Sequence, residues 1–215
     1  MIDLLKKSLP QDYGITRPNI RLNTRIASGR IEEGDYVSCK NCKSSNKETC
    51  NQNEMIVDAE NYNITIVEHE DYVCQFNGKV FAQGGRCDYL LFDDRLHKLV
   101  FCELGCYSEE YVEKKKAVAH KQVTESLQRL LDKPSGVNVV SSFRERQLVF
   151  FRRDPNLQSQ TFPARGDVSR NFQAFINNPA TTSAYLEADE KVKDCYGNSI
   201  DVKFVIVNYP SPYRW

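Results

Sequence analysis

Cys87-Asp-Tyr-Leu-Leu-Phe-Asp93, the polar step Asp94-Arg-Leu-His97, and Lys98-Leu-Val-Phe-Cys-Glu-Leu104 make up the densest apolar region of the chain. Aromatic and branched residues on both sides of a short polar turn predict an antiparallel hairpin buried on at least one face. Directly after it, Ser108 stands where a helix N-cap belongs, with Glu109 and Glu110 in the first turn, favourable at the positive end of the helix dipole. Ala119, Val123, Leu127 and Leu130 then recur at helical spacing, and Asp132-Lys-Pro-Ser-Gly136 stops the helix at about Leu131. The unit is therefore strand, strand, helix from about Gly85 to Leu131.

Working outward, Val137 to Val140 and Gln147-Leu-Val-Phe-Phe-Arg152 read as further strands, the second bracketed by Arg144, Arg146, Arg152 and Arg153. A short helix is expected from Asp167 to just before Asn177-Asn-Pro179. Lys191 to Cys195, a Tyr196-Gly-Asn-Ser199 turn and Val202 to Asn208 form a terminal hairpin. Upstream, strands are expected at Asn63 to Glu68 and near Tyr72-Val-Cys-Gln-Phe76. The first thirty residues mix Pro10, Gly14, Pro18 and Gly29 with arginines, which reads as an irregular basic arm around one short helix near Ile2 to Ser8.

The 215 residues, 40% hydrophobic, fit one domain with appendages. The divisions are an irregular arm (1–35), a cysteine-containing loop (36–55), a core (60–155) and a C-terminal helix and hairpin (156–215). The fold class expected is α/β, a central mixed sheet with flanking helices. Twenty-nine basic residues balance 29 acidic ones, so no global field draws the chain to nucleic acid, and any such contact has to be local. The N-terminus has too short an apolar run for a signal peptide, and no stretch has the length of a membrane span. A cytoplasmic setting with reduced thiols follows as the expectation.

Two acidic residues interrupt the apolar strands: Asp88 between Cys87 and Tyr89, and Glu103 between Cys102 and Leu104. A buried carboxylate needs hydrogen bonds, a basic neighbour or a metal. Carboxylates on adjacent strands can converge on one divalent ion with water completing its shell, as Mg²⁺ prefers. The alternative is a pair at a strand edge that meets Arg86 or water.

The run Gly84-Gly-Arg-Cys-Asp88-Tyr-Leu-Leu-Phe92, then Leu99-Val-Phe-Cys-Glu103-Leu-Gly105, then Ala119-His-Lys-Gln122-Val-Thr-Glu-Ser-Leu127 resembles the central hairpin and following helix of the PD-(D/E)XK nuclease superfamily. The resemblance covers under a quarter of the chain and implies a restriction-endonuclease-like core. It casts Asp88 and Glu103 as ligands of Mg²⁺ or Mn²⁺ and Gln122 as a supporting residue. It also implies an acidic residue on a preceding helix, with Glu48, Glu54 and Glu60 as candidates. The motif lysine is replaced by Gly105, which carries no charge. Lys115, two helical turns before Gln122 and on the same face, is the candidate substitute, unless Lys114, Lys115 and Lys116 are simply a solvated helix face.

The activity so implied is metal-dependent hydrolysis of nucleic-acid phosphodiesters, in a setting such as phage defence or a mobile element. Arg144, Arg146, Arg152, Arg153 and the arginines of the arm are the candidate phosphate contacts. Without the lysine, the same fold is also consistent with an inactive binding or regulatory module that takes a protein partner. A third alternative is an unrelated α/β domain with zinc-braced loops. Cys39-x-x-Cys42 with Cys50 has the spacing of a zinc knuckle, although the second C-x-x-C is missing and free thiols in a loop fit better. Cys87, Cys102 and Cys106 read as small buried hydrophobes. His97 falls in the hairpin turn and His120 on the helix, which argues against pairing either with Cys102 or Cys106 for thiol catalysis.

Overall fold

A computed structural model describes residues 1–15, 20–35, 53–76, 86–93, 95–106, 111–153, 184–209 and 211–215. Among these, eight strands form one mixed open sheet with helices packed beside it, the α/β class expected from the sequence. The strands are β1 (Thr24–Asp35), β2 (Asn53–Glu68), β3 (Tyr89–Asp93), β4 (Lys98–Cys106), β5 (Glu145–Arg153), β6 (Ala184–Lys193), β7 (Ser199–Asn208) and β8 (Tyr213–Arg214). Their spatial order is β1-β2-β3-β4-β5-β7-β6, with β8 paired to β2. β4, β5 and β7 run parallel, and β1, β2, β3 and β6 join antiparallel to their neighbours, apart from the parallel β2–β8 contact.

The central hairpin forms where its composition predicts. Asp93 closes it: its carboxylate accepts the backbone N–H groups of Arg95 (2.9 Å), His97 (3.1 Å) and Lys98 (2.8 Å), and the indole N–H of Trp215 (3.1 Å). Burial acts to raise the Asp93 carboxyl, but these donors outweigh it and hold the group below its ordinary value. The terminal hairpin β6–β7 is pinned in the same manner, with Asp194 accepting the N–H groups of Tyr196 and Asn198 at 2.8 Å and Gly197 at φ 84°.

Side-chain alternation divides the sheet into two faces. Leu90 and Phe92 of β3, Leu99 and Phe101 of β4, and Leu148 and Phe150 of β5 share one core cluster with Val123 and Leu127. Leu91, Val100, Cys102, Leu104, Val149 and Phe151 share the other with Met55, Val57 and Tyr213. The first face is covered by helices: a π-helical turn Leu4–Ser8 running into α1 (Leu9–Asp12), the short α2 (His69–Val73), the long α3 (Val112–Leu131) and α4 (Pro134–Ser142). The second face is covered by the long β1–β2 hairpin, which is bulged between Ala27 and Gly29 and brings β2 against β4 and β5.

Three expectations are corrected. The N-terminal arm is not irregular: Leu4, Leu5 and Leu9 are fully buried in the helix-side core, and Thr24–Asp35 is a strand. Tyr72 to Phe76 is not a strand but the end of α2 and the turn after it, with the Tyr72 hydroxyl donating to the Leu5 carbonyl at 2.7 Å. Val137 to Val140 lies in α4, which starts with Pro134 at its first position, where a missing N–H costs nothing. The helix expected at Asp167 to Asn177 lies outside the described residues.

Candidate metal and anion site

The faces of the sheet decide where the two carboxylates point. Tyr89 opposes Cys102 and Leu90 opposes Phe101, so one step further along the same register Asp88 opposes Glu103. Alternation puts Glu103 on the helix side with Leu99 and Phe101, and Asp88, just before β3, is near enough for its charge to act on Glu103. Two reciprocal bonds lock them together: the Asp88 carboxylate accepts the Leu104 N–H at 2.7 Å, and the Glu103 carboxylate accepts the Asp88 N–H. The carboxylates therefore stand side by side at the end of the β3–β4 ladder.

Helix α3 lies over them. Ser126 fixes its height, since its hydroxyl donates to the Gln122 carbonyl (2.8 Å) and accepts the Cys87 N–H (3.0 Å). One turn earlier on the same face, the Gln122 side chain hydrogen-bonds to Glu103. Lys115 lies on the same helix seven residues before Gln122, about 10 Å along the axis from it.

The Glu103 carboxyl is strongly perturbed. Burial first, then the negative charges of Asp88 and Glu70, push it up to about 10, against the hydrogen bonds from the Asp88 N–H and Gln122. Its Oε2 is buried and has no hydrogen-bond partner. Glu70, in the first turn of α2, is the second acidic residue whose charge reaches Glu103. Glu54 and Glu60 lie in strand β2, and Glu48 falls outside the described residues. Glu70 was discoverable: Glu68-His-Glu-Asp71 directly follows an apolar strand run and opens a helix with acidic residues in its first turn.

Behind the carboxylates lies His69, fully buried. Its backbone N–H donates to the Asp88 carbonyl at 2.9 Å, and its Nδ1 stands 3.2 Å from the Cys87 carbonyl and 3.3 Å from the Cys87 sulfur. Burial holds the imidazole down at about 4 and pushes the Cys87 thiol well up, so the contact is a neutral one and not a thiolate–imidazolium pair. Cys87, Cys102 and Cys106 are all buried, as expected for small apolar side chains. His97 stacks on Tyr62, and His120 meets the Glu190 carboxylate at 2.8 Å and the Phe204 ring.

The arginines divide. Arg146 donates to the carbonyls of Phe143 (2.7 Å), Val140 (3.3 Å) and Asp201 (3.2 Å), a bracing role. Arg144 is exposed, and Arg153 lies over the Tyr209 ring at 4.3 Å. Arg152 is buried, with 8% of its surface exposed, on the last turnings of β5.

Asp88 and Glu103 fit a hard divalent cation: two oxygen donors, one of them lacking a partner, in a local field of negative charge. Among the described residues no three His, Cys, Asp or Glu side chains group as ligands of one ion, so such a site rests on this pair, with water or substrate oxygens completing the shell. Cys39, Cys42 and Cys50 lie outside the described residues. Among the described residues no helix is long and apolar enough to cross a membrane. Comparison with known protein families, with curated proteins and with solved structures finds no match to this chain.

Proposed function

We propose that the chain is a PD-(D/E)XK-like protein that hydrolyses nucleic-acid phosphodiesters with Mg²⁺ or Mn²⁺. The observation that carries this reading is the Asp88–Glu103 pair, with the Glu103 Oε2 buried, unbonded and surrounded by further negative charge. A polar atom in that state costs free energy that a cation would recover. Asp88 and Glu103 would hold the ion, and Gln122 would orient Glu103 by its amide. When bound, such an ion polarises a phosphoryl oxygen and acidifies a water molecule. Water adds to phosphorus, the ester oxygen leaves with a proton, and one phosphodiester becomes a phosphomonoester and an alcohol.

The observation favouring a second reading, binding without cleavage, is Gly105 at the position of the motif lysine. The two readings separate in one experiment. Purified protein is incubated with labelled DNA and RNA in Mn²⁺ or Mg²⁺, beside Asp88→Ala and Glu103→Ala. Cleavage that both substitutions abolish supports the hydrolase. Metal binding with no cleavage supports the binding module, and neither metal binding nor cleavage overturns both.

A further inference from the structure

We propose that Arg152 is the anion-binding residue of this site and receives a phosphate oxygen of the substrate next to Asp88 and Glu103. The inference rests on the reading above for the identity of the anion, but its geometry stands apart from it. In the parallel pairing of β4 with β5, Glu103 opposes Phe150 and Gly105 opposes Arg152. Leu148 and Phe150 belong to the helix-side core, whereas Val149 and Phe151 belong to the opposite cluster, so alternation returns Arg152 to the helix side. That is the face of Glu103 and Gln122. Gly105 places no side chain there, and β5 contributes Arg152 to this row.

The reach is adequate. Strands about 4.8 Å apart and a two-residue step along the strand set the Arg152 and Glu103 Cα atoms at roughly 8 Å, a diagonal separation that long side chains span. Continuing the row, Arg152 opposes Asn208 of β7, itself 5% exposed and on the side of Phe204 and Ile206. Gly105, Arg152 and Asn208 thus line the carboxyl ends of three parallel strands, where open α/β sheets bind ligands. A guanidinium keeps its charge under burial and offers a planar fork of donors matched to two phosphate oxygens. Arg152 in this place supplies from the neighbouring strand the charge that Gly105 cannot.

The test measures binding of inorganic phosphate by calorimetry, with and without Mn²⁺, alongside Mn²⁺ binding and nuclease assays. Arg152→Gln should weaken phosphate binding by about tenfold or more while leaving Mn²⁺ bound. Because Arg152 is buried, Arg152→Lys is the companion variant: it keeps the charge, loses the fork and should show a smaller loss. Glu103→Ala should remove Mn²⁺ but retain the Arg152 dependence of metal-free phosphate binding. Wild-type protein that takes no phosphate, or folded Arg152→Gln or Arg152→Lys protein that binds it as tightly as wild type, overturns the proposal. Arg152-dependent phosphate binding without metal binding or cleavage keeps the proposal and removes the hydrolase.

Discussion

Replacing Glu103 by Gln should change the pH dependence of stability in a direction opposite to that of most buried carboxylates. In the folded chain burial, Asp88 and Glu70 push this carboxyl up to about 10, while in the unfolded chain it titrates near its ordinary 4.5. Between those values the folded state holds a proton that the unfolded state has lost. Stability is therefore greatest below the unfolded pKa and falls as pH rises through the window, at about 1.4 kcal/mol per pH unit for one proton. His69 works in the opposite sense, because its folded pKa of about 4 lies below its ordinary 6.5, so its contribution is lost as pH falls between those values. Measurements from pH 6.5 to 8 lie above that range and below the thiols, and isolate Glu103. Over this interval metal-free wild type should lose about 2 kcal/mol relative to Glu103→Gln. Urea unfolding of both proteins in EDTA reads the difference as a divergence of midpoints at constant slope. Superimposable pH profiles would refute the account of Glu103 as a protonated, charge-crowded group, and with it the main support for a cation there.

Four further outcomes follow from the geometry. Mn²⁺ binding must displace the Glu103 proton, so its affinity should rise by up to about tenfold per pH unit between 6.5 and 8, measured by calorimetry in buffers of different ionisation enthalpy. Ser126→Ala removes both the acceptor for the Cys87 N–H and the tie that sets α3 over the carboxylates, and should cost about 1–3 kcal/mol in thermal unfolding while weakening Mn²⁺ binding. Leu127→Ala, at a fully buried position in the middle of α3, should cost about 2–5 kcal/mol. Gly136→Ala should destabilise despite the roughly 1 kcal/mol that helix propensity alone would add, because a Cβ there meets the Leu130 carbonyl; a raised melting temperature would refute that contact.

The parts of the fold legible in the sequence are those whose pattern is local and repeated. The β3–β4 hairpin combines apolar runs with an aspartate that ties its own turn, and α3 repeats Ala119, Val123, Leu127 and Leu130 on one face. What the sequence hid is what tertiary contact decides. Val137, Val139 and Val140 look like a strand, yet Pro134 opens a helix and Gly136 lets it pack against the end of α3. Leu4, Leu5 and Leu9 sit among polar residues and become core only because α1 docks under Tyr72 and Phe76. At the site, Asp88, Glu103 and Gln122 were readable from their settings. That Glu70 stands near them was not, since that depends on where α2 docks, and Arg152, one of four arginines read as phosphate contacts, could be set apart from the others only by the β4–β5 register.

Gly105 and Arg152 are best understood together as a matter of electrostatic balance. Asp88, Glu103 and Glu70 place negative charge at the end of the β3–β4 ladder, and the fold relieves it by holding a proton on Glu103. A proton is a poor long-term solution near neutrality, because each unit of rising pH makes it costlier to keep. A divalent ion between the carboxylates removes that cost and also makes the site net attractive to an anion. A lysine at position 105, on the same strand as Glu103, would place its charge directly beside the ion. An arginine one strand further away is separated by the width of a strand, so it can neutralise an incoming phosphate without displacing the ion. On the proposed reading, a cation would release the Glu103 proton and strengthen the hold of Arg152 on the anion. Phosphate should accordingly bind more tightly in the presence of Mn²⁺ than in its absence, and Mn²⁺ more tightly in the presence of phosphate, by the same factor. Glu103→Gln, which lacks the proton and weakens the ion's seat, should lose that coupling while Arg152→Gln loses it from the other side.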